Sequence, residues 1–185
     1  ACIGTITKAL EEGGILVVVI LFLFLGNIRS ALIVAATLPV AALTTFIAMQ
    51  WMGMSANLMS LGGLAIAIGM MVDGSVVMIE NIFRHLSEKE HQNEGRLHKI
   101  LESAKEVGRP ITFGIVIIII VFLPLFTLEG MEGKMFSPMA YTISIALFVS
   151  LILSLTLSPV LASLFLKGGQ EEDVFIVRWI KKFYM

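Results

Sequence analysis

Apolar residues gather in five long runs, at about 7–26, 30–50, 57–84, 110–128 and 136–167, with short polar stretches between them. A helix needs about 20 such residues to cross a hydrocarbon core of about 30 Å. The pattern therefore predicts an all-α membrane protein, a bundle of five transmembrane helices. The first run is the weakest, because Lys8, Glu11 and Glu12 interrupt its start and Gly26-Asn27 closes it as a turn. The second contains Pro39, is rich in Ala and Thr, and ends at Trp51, placed as an interfacial anchor. Residues 85–109 form a polar loop, in which Leu97, Ile100, Leu101 and Ala104 recur at helical spacing and predict a loop helix over 96–107. Glu129 to Lys134 turn the chain between the last two runs, with Glu129 and Glu132 read as helix-end residues.

Residues 169–185 differ. Val174, Phe175, Trp179, Ile180, Phe183 and Tyr184 are interleaved with Arg178, Lys181 and Lys182. This stretch is too short and too basic to span, and it predicts an amphipathic helix lying on an anionic leaflet.

The composition agrees: 57% of residues are hydrophobic and 15% charged, with mean hydropathy +0.94. About 25% charge is usual in a soluble domain, so that class is excluded. One cysteine, Cys2, gives no disulfide framework and no thiolate metal site. No secretory signal precedes the first run, and the short polar lead suggests that a further span lies upstream.

Basic residues set the expected topology. Arg29, Arg84, Lys89, Arg96, Lys99, Lys105, Arg109, Lys167, Arg178, Lys181 and Lys182 fall on one side of the five spans; only Lys8 and Lys134 fall on the other. The positive-inside rule then puts the N-terminus outside and the polar loop and C-terminus in the cytoplasm.

Within the third run, Leu58 to Val72 carries no ionisable residue, and then Asp73 follows. A charged Asp at mid-span costs about 2.5–3.5 kcal/mol on insertion scales. An intramembrane acid is a functional candidate by default. At about 100° per residue, Glu80 falls within about 20° of Asp73, and Arg84, Gly62 and Gly69 share that face. The stripe reads small, small, acid, acid, base. It suits a proton path with a wet inner end, and the glycines would let another backbone lie close to Asp73. No Lys or Arg sits mid-span in any run, so Asp73 is expected to be buried and to hold its proton in this chain alone. The plainer alternatives are a structural hydrogen bond for Asp73 and an interfacial ion pair with Arg84 for Glu80. Met71 and Met78 lie about 150° from Asp73, with Met59 nearer the acid face. Thioethers suit soft monovalent metals, but they also fill gaps in bundles. His85, His91 and His98, all in the polar loop, are read as solvated.

The run Gly69-x-x-Val72-Asp73-Gly74-x-Val76-Val77-x-x-Glu80-Asn81 resembles the fourth transmembrane helix of the resistance-nodulation-division (RND) transporters, in their heavy-metal efflux branch. Leu23-Phe24-Leu25-Gly26-Asn27-x-Arg29 resembles the end of that family's second helix. Phe122 to Gly133 resembles the end of the fifth, and Leu155 to Ser163 the sixth. The resemblance covers essentially the whole chain as a fragment holding helices two to six. It implies a proton-driven metal-cation antiporter, not an enzyme, with no cofactor beyond the transported metal cation and protons.

It also implies a bacterial inner-membrane location, a homotrimer in the full protein, a second transmembrane half, periplasmic domains, a periplasmic adaptor and an outer-membrane channel. Asp73 takes the place of the essential proton carrier and Glu80 that of the glutamate two turns on. The relay lysine belongs to the second half, so the fragment alone is expected to be inactive. Ala67 stands where many divalent-cation members carry a second aspartate. Met59, Met71 and Met78 match methionines of copper/silver members, whose partners on the sixth helix correspond to Leu147 and Ala162. Two other readings compete: an accessory membrane subunit of protein export, and an intramembrane aspartyl protease, which would need a second mid-span aspartate.

Overall fold

A computed structural model describes residues 19–21, 27–55, 57–87 and 95–166. Four long helices carry the fold: α1 (Ile28–Trp51), α2 (Leu58–Ser87), α3 (Arg96–Phe122) and α4 (Gly130–Phe165). A short 3₁₀ turn, Leu123–Thr127, follows α3. All four helices are long and apolar enough to cross a membrane, and no strand occurs among the described residues. This is an all-α membrane bundle. Of the expected first span only residues 19–21 are described; they are helical, and Leu21 joins the core. The C-terminal amphipathic stretch lies outside the described residues.

The helix ends follow from local chemistry. Asn27 caps α1, its Oδ1 accepting from the Arg29 backbone N–H at 2.9 Å. At the far end of α1, Gly53 adopts φ +68° and the chain turns out of the helix through Gly53 N–H to Gln50 O and Met54 N–H to Met49 O. Trp51 stands 88% exposed there, as an interfacial anchor would. Asn57 and Ser60 cap α2 reciprocally. The Ser60 N–H donates to Asn57 Oδ1 at 2.8 Å and the Asn57 N–H donates to Ser60 Oγ at 2.9 Å.

Two helices run further than the apolar pattern predicts. The expected loop helix and fourth span are one continuous helix, α3, passing through Gly108-Arg109-Pro110. Proline removes one ladder bond, to the Glu106 carbonyl, and tertiary packing outweighs that loss. Ile100, Ser103, Ile111 and Ile115 keep one buried face across the proline. The fifth apolar run likewise extends back to Gly130, so α4 has 36 residues and a length of about 54 Å.

The centre of the bundle is the α2–α4 contact, with α1 against α4 and α3 closing the side. Lipid supplies no hydrophobic drive between helices, so close packing of small residues must do the work. α2 meets its neighbours through Gly63, Ala67, Gly74 and Ser75, with Met71, Met78, Ile79 and Ile82 between them, all buried. α4 answers with Thr142, Ala146, Ser150, Ser154 and Ser158, also buried. Ser150 Oγ donates to the Met71 carbonyl at 3.1 Å, tying the two helices together directly. A Cβ at Gly63 would sit 2.8 Å from the Met139 backbone oxygen, and one at Gly74 would sit 3.3 Å from Ile111 Cγ2.

The Gly63→Ala substitution must push α4 away from α2, so it should destabilise the protein by about 1–3 kcal/mol as overpacking does. Gly62→Ala, where a Cβ meets nothing within 4 Å, should leave this bundle's stability unchanged. Thermal unfolding of the detergent-solubilised protein measures both; equal shifts would contradict the packing described.

Candidate functional site: an acidic stripe on the open face of α2

Asp73 is 15 residues from one end of α2 and 14 from the other, which puts it about 22 Å from each at 1.5 Å per residue. It therefore lies at the middle of a membrane-length helix. Glu80 follows two turns on, about 10 Å closer to the end that carries Arg84. All three are exposed, as are Gly62, Gly69 and Val77 on the same face. The rotation predicted from the sequence is thus correct, and one stripe does carry both acids.

The burial expected for Asp73 is not supplied by the described helices. The small-residue face of α2 that packs within this chain is the one through Gly63, Ala67 and Gly74, not the one through Gly62 and Gly69. A Cβ at Gly62 or Gly69 meets nothing within 4 Å. Any close approach those two glycines permit is to something beyond the described residues, and the same holds for whatever surrounds the two carboxyls.

A second polar cluster joins α2 to α3 in the part of α3 that precedes its apolar stretch, outside the membrane span. Asn81 Nδ2 donates to Ser103 Oγ at 3.0 Å, to the Ser103 carbonyl at 3.2 Å and to Glu106 Oε2 at 3.0 Å. His85 Nε2 meets the same Glu106 oxygen at 2.9 Å. The Glu106 carboxyl is held below the usual carboxylate range, first by the Asn81 hydrogen bond and next by that of His85; the charges of His85 and Arg84 add to this. His85 thus belongs to α2 and to an interhelical cluster, not to a solvated loop. His98 stands 3.4 Å from Glu102 one turn along α3, and His91 lies outside the described residues. No group of three His, Cys, Asp or Glu able to hold a metal occurs among the described residues.

One further contact went unread in the sequence. Arg96, the first residue of α3, donates from Nη2 to the Ser163 carbonyl at 2.8 Å and to the Leu166 carbonyl. It caps the open C-terminal carbonyls of α4, where a cation is also favoured by the helix dipole. Neither this contact nor the Asn81 cluster leaves a local signal, since their partners lie 21 to 70 residues away in sequence.

Residues 1–185, the whole chain, match the family model described as AcrB/AcrD/AcrF. The chain belongs to this family. Over 98% of its length it is 47% identical to the cobalt-zinc-cadmium resistance protein CzcA of Cupriavidus metallidurans. It is 41% identical, over 87% of its length, to the cation efflux system protein CusA of Escherichia coli K12. A crystal structure of a heavy metal efflux pump superposes on 88% of the chain with a TM-score of 0.73 at 43% identity. The resemblance to heavy-metal RND transporters is borne out, and the family is one of transporters rather than enzymes. The chain spans 18% of CzcA, 16% of CusA and 15% of the crystallised pump.

Within the AcrB/AcrD/AcrF frame the remaining candidate positions can be placed. Ala67, which stands where the resemblance would put a second aspartate in divalent-cation members, is fully enclosed on the packed face of α2. Met71 and Met78 are 2% and 0% exposed in the core, and Leu147 and Ala162, the positions matched to partner methionines, are 0% exposed and carry no sulfur. Met59 is half-buried near the start of α2. Met71 and Met78 therefore sit where side chains fill the α2–α4 seam, away from the acidic stripe.

Two outcomes follow. Met71→Leu and Met78→Leu are close to volume-conserving and should cost less than about 1.5 kcal/mol each, whereas Met→Ala at either should cost about 2–5 kcal/mol; chemical or thermal unfolding reads the contrast. By NMR titration the Glu106 carboxyl should ionise at lower pH than an unpaired glutamate, and Asn81→Ala should raise its midpoint. Because folding depresses this pKa, the cluster's contribution is present above the ordinary glutamate range and is lost as pH falls through the folded value. An unchanged midpoint in the variant would remove Asn81 as the main cause.

Proposed function

We propose that this chain is the proton-relay portion of the membrane domain of a proton-driven heavy-metal cation efflux pump of the RND class. The observation that carries the reading is Asp73, at the midpoint of a membrane-length helix and on a face of α2 that the other described helices leave open. Asp73 is the proton carrier and Glu80 the second acid, nearer the wet end. Their cationic partner comes from a second transmembrane half outside this chain, so the portion does not pump alone. The end of the bundle that gathers Arg29, Arg84, Arg96, Lys99, Lys105 and Arg109 faces the cytoplasm of a bacterial inner membrane, and the end with Lys134 faces the periplasm. In the whole protein the assembly is a homotrimer that works with periplasmic domains, an adaptor and an outer-membrane channel. The similarity to CzcA and CusA supports a metal cation as cargo, and both relatives' names refer to resistance or efflux. Met59, Met71 and Met78 are the thioethers that could pass a soft metal, although Met71 and Met78 are enclosed in the core.

The test uses the whole pump that carries these helices, expressed in a metal-sensitive strain. Asp73→Asn keeps the shape and removes the titratable proton. Metal tolerance should fall to that of the empty vector, at unchanged protein level in the membrane. Glu80→Gln should lower tolerance less. Full tolerance with Asp73→Asn would sink the proton-carrier assignment.

A further inference from the structure

A cavity of about 1000 Å³ opens on the flank of the bundle where α3 passes α4, at the end that holds Arg84 and Arg96. Its wall on α3 has an ordered chemistry. Lys105, Arg109 and Phe113 succeed one another at intervals of four residues, on one face and about 6 Å apart along the axis. The order runs from the polar part of α3 into its apolar stretch, which begins at Ile111 directly after Pro110. Phe113 is 69% exposed, and Leu155 of α4, which stands across the groove, is also exposed. Gly108 forms part of the floor: a Cβ there would meet Leu155 Cδ2 at 3.3 Å.

The charges in the groove are unequally satisfied. Glu106 is engaged by Asn81 and His85, and Glu102 lies beside His98. Lys105 and Arg109, both exposed, have no carboxylate partner among the described residues. Two cations one turn apart at the border of an apolar stretch, above an open apolar cleft, make an amphipathic receptor. A phosphate fits the first part, since guanidinium and ammonium groups both bind it. A free anion would have no use for the second part, Phe113 and Leu155. Basic pockets between transmembrane helices on the cytoplasmic side are recognised sites for lipid head groups.

We propose that this groove binds one anionic phospholipid, its phosphate between Lys105 and Arg109 and an acyl chain along Phe113 and Leu155. The inference rests only on α3 and α4 spanning a bilayer, and it is independent of the proton-relay reading. The bound lipid fills the groove between α3 and α4, whose floor is Gly108 against Leu155, and so steadies α3 at the membrane surface.

The experiment is native mass spectrometry on the whole polypeptide that carries these helices, delipidated in detergent and titrated with dioleoyl phosphatidylglycerol or dioleoyl phosphatidylcholine. One phosphatidylglycerol should be retained at least about tenfold more tightly than phosphatidylcholine, as two basic side chains near the lipid surface allow. The Lys105→Gln/Arg109→Gln variant should lose that preference, and Lys105→Arg/Arg109→Lys should keep it. Either single Gln variant reads out part of the loss if the double variant does not assemble. Phe113→Ser should weaken phosphatidylglycerol binding while the water-soluble head group, glycerophosphoglycerol, stays weak throughout. Equal binding of phosphatidylglycerol to wild type and the double Gln variant would overturn the proposal. So would glycerophosphoglycerol or inorganic phosphate binding as tightly as the lipid, which would mark a plain anion site.

Discussion

The rotation of α2 about its own axis decides most of what this chain can do. That rotation is fixed by close approach at small residues, not by greasiness, because a lipid-facing and a helix-facing side chain are equally content to be apolar. Gly63 lets the Met139 carbonyl come within reach of where a side chain would be, and Gly74 does the same for Ile111. Ser150 then adds a hydrogen bond to the Met71 carbonyl, in a place where no water competes for it. With those three points held, α2 cannot turn. Asp73, one residue from Gly74, is thereby directed away from α4.

The polar end of the bundle is held by a different kind of force. There the Asn81 amide reaches three oxygens of α3, and Arg96 takes the last carbonyls of α4. Small-residue packing governs the middle, where polar groups are expensive, and hydrogen-bond clusters govern the end, where water can solvate what is left over. α3 shows the division within one helix. Its first half is locked through Ser103 and Glu106, while its apolar half touches the bundle mainly through Ile111 and Ile115 and leaves Phe113, Ile117, Ile120 and Val121 exposed.

How much of this the sequence carries depends on distance along the chain. The apolar spans from the second onward and the common face of Asp73 and Glu80 are local or periodic features, and periodicity reads them. The opposition of Met71 and Met78 to Asp73 is equally a matter of angle, and it holds. Which face is covered is not local: both Gly62 and Gly63 are glycines, and only the path of α4 distinguishes them. The expectation that Asp73 is buried failed for that reason. It equated an apolar helix with an enclosed one, whereas the other described helices cover only one face of α2. The continuity of α3 through Pro110 was missed for a related cause. One lost ladder bond is a strong local signal, and the packing of Ile100, Ser103, Ile111 and Ile115 that outweighs it is spread over 16 positions of the chain.

Adjacent residues of α2 take opposite duties, and this has a mechanical consequence. Gly62 is open and Gly63 locked; Asp73 is open and Gly74 locked; Glu80 is open and Asn81 locked. Each member of the open set is therefore one bond from a residue that the bundle holds still. A carboxyl that exchanges a proton changes its charge and its preferred partners, and a loosely held helix would answer by rotating. Here rotation would have to break the Gly63 and Gly74 contacts and the Asn81 cluster together. A protonation event on the open face is then more readily answered by movement of whatever body lies against that face than by movement of α2 itself. In that arrangement α2 and α4 would act as the fixed wall, and the stripe that Gly62 and Gly69 leave free of side chains is where such a body would fit closely.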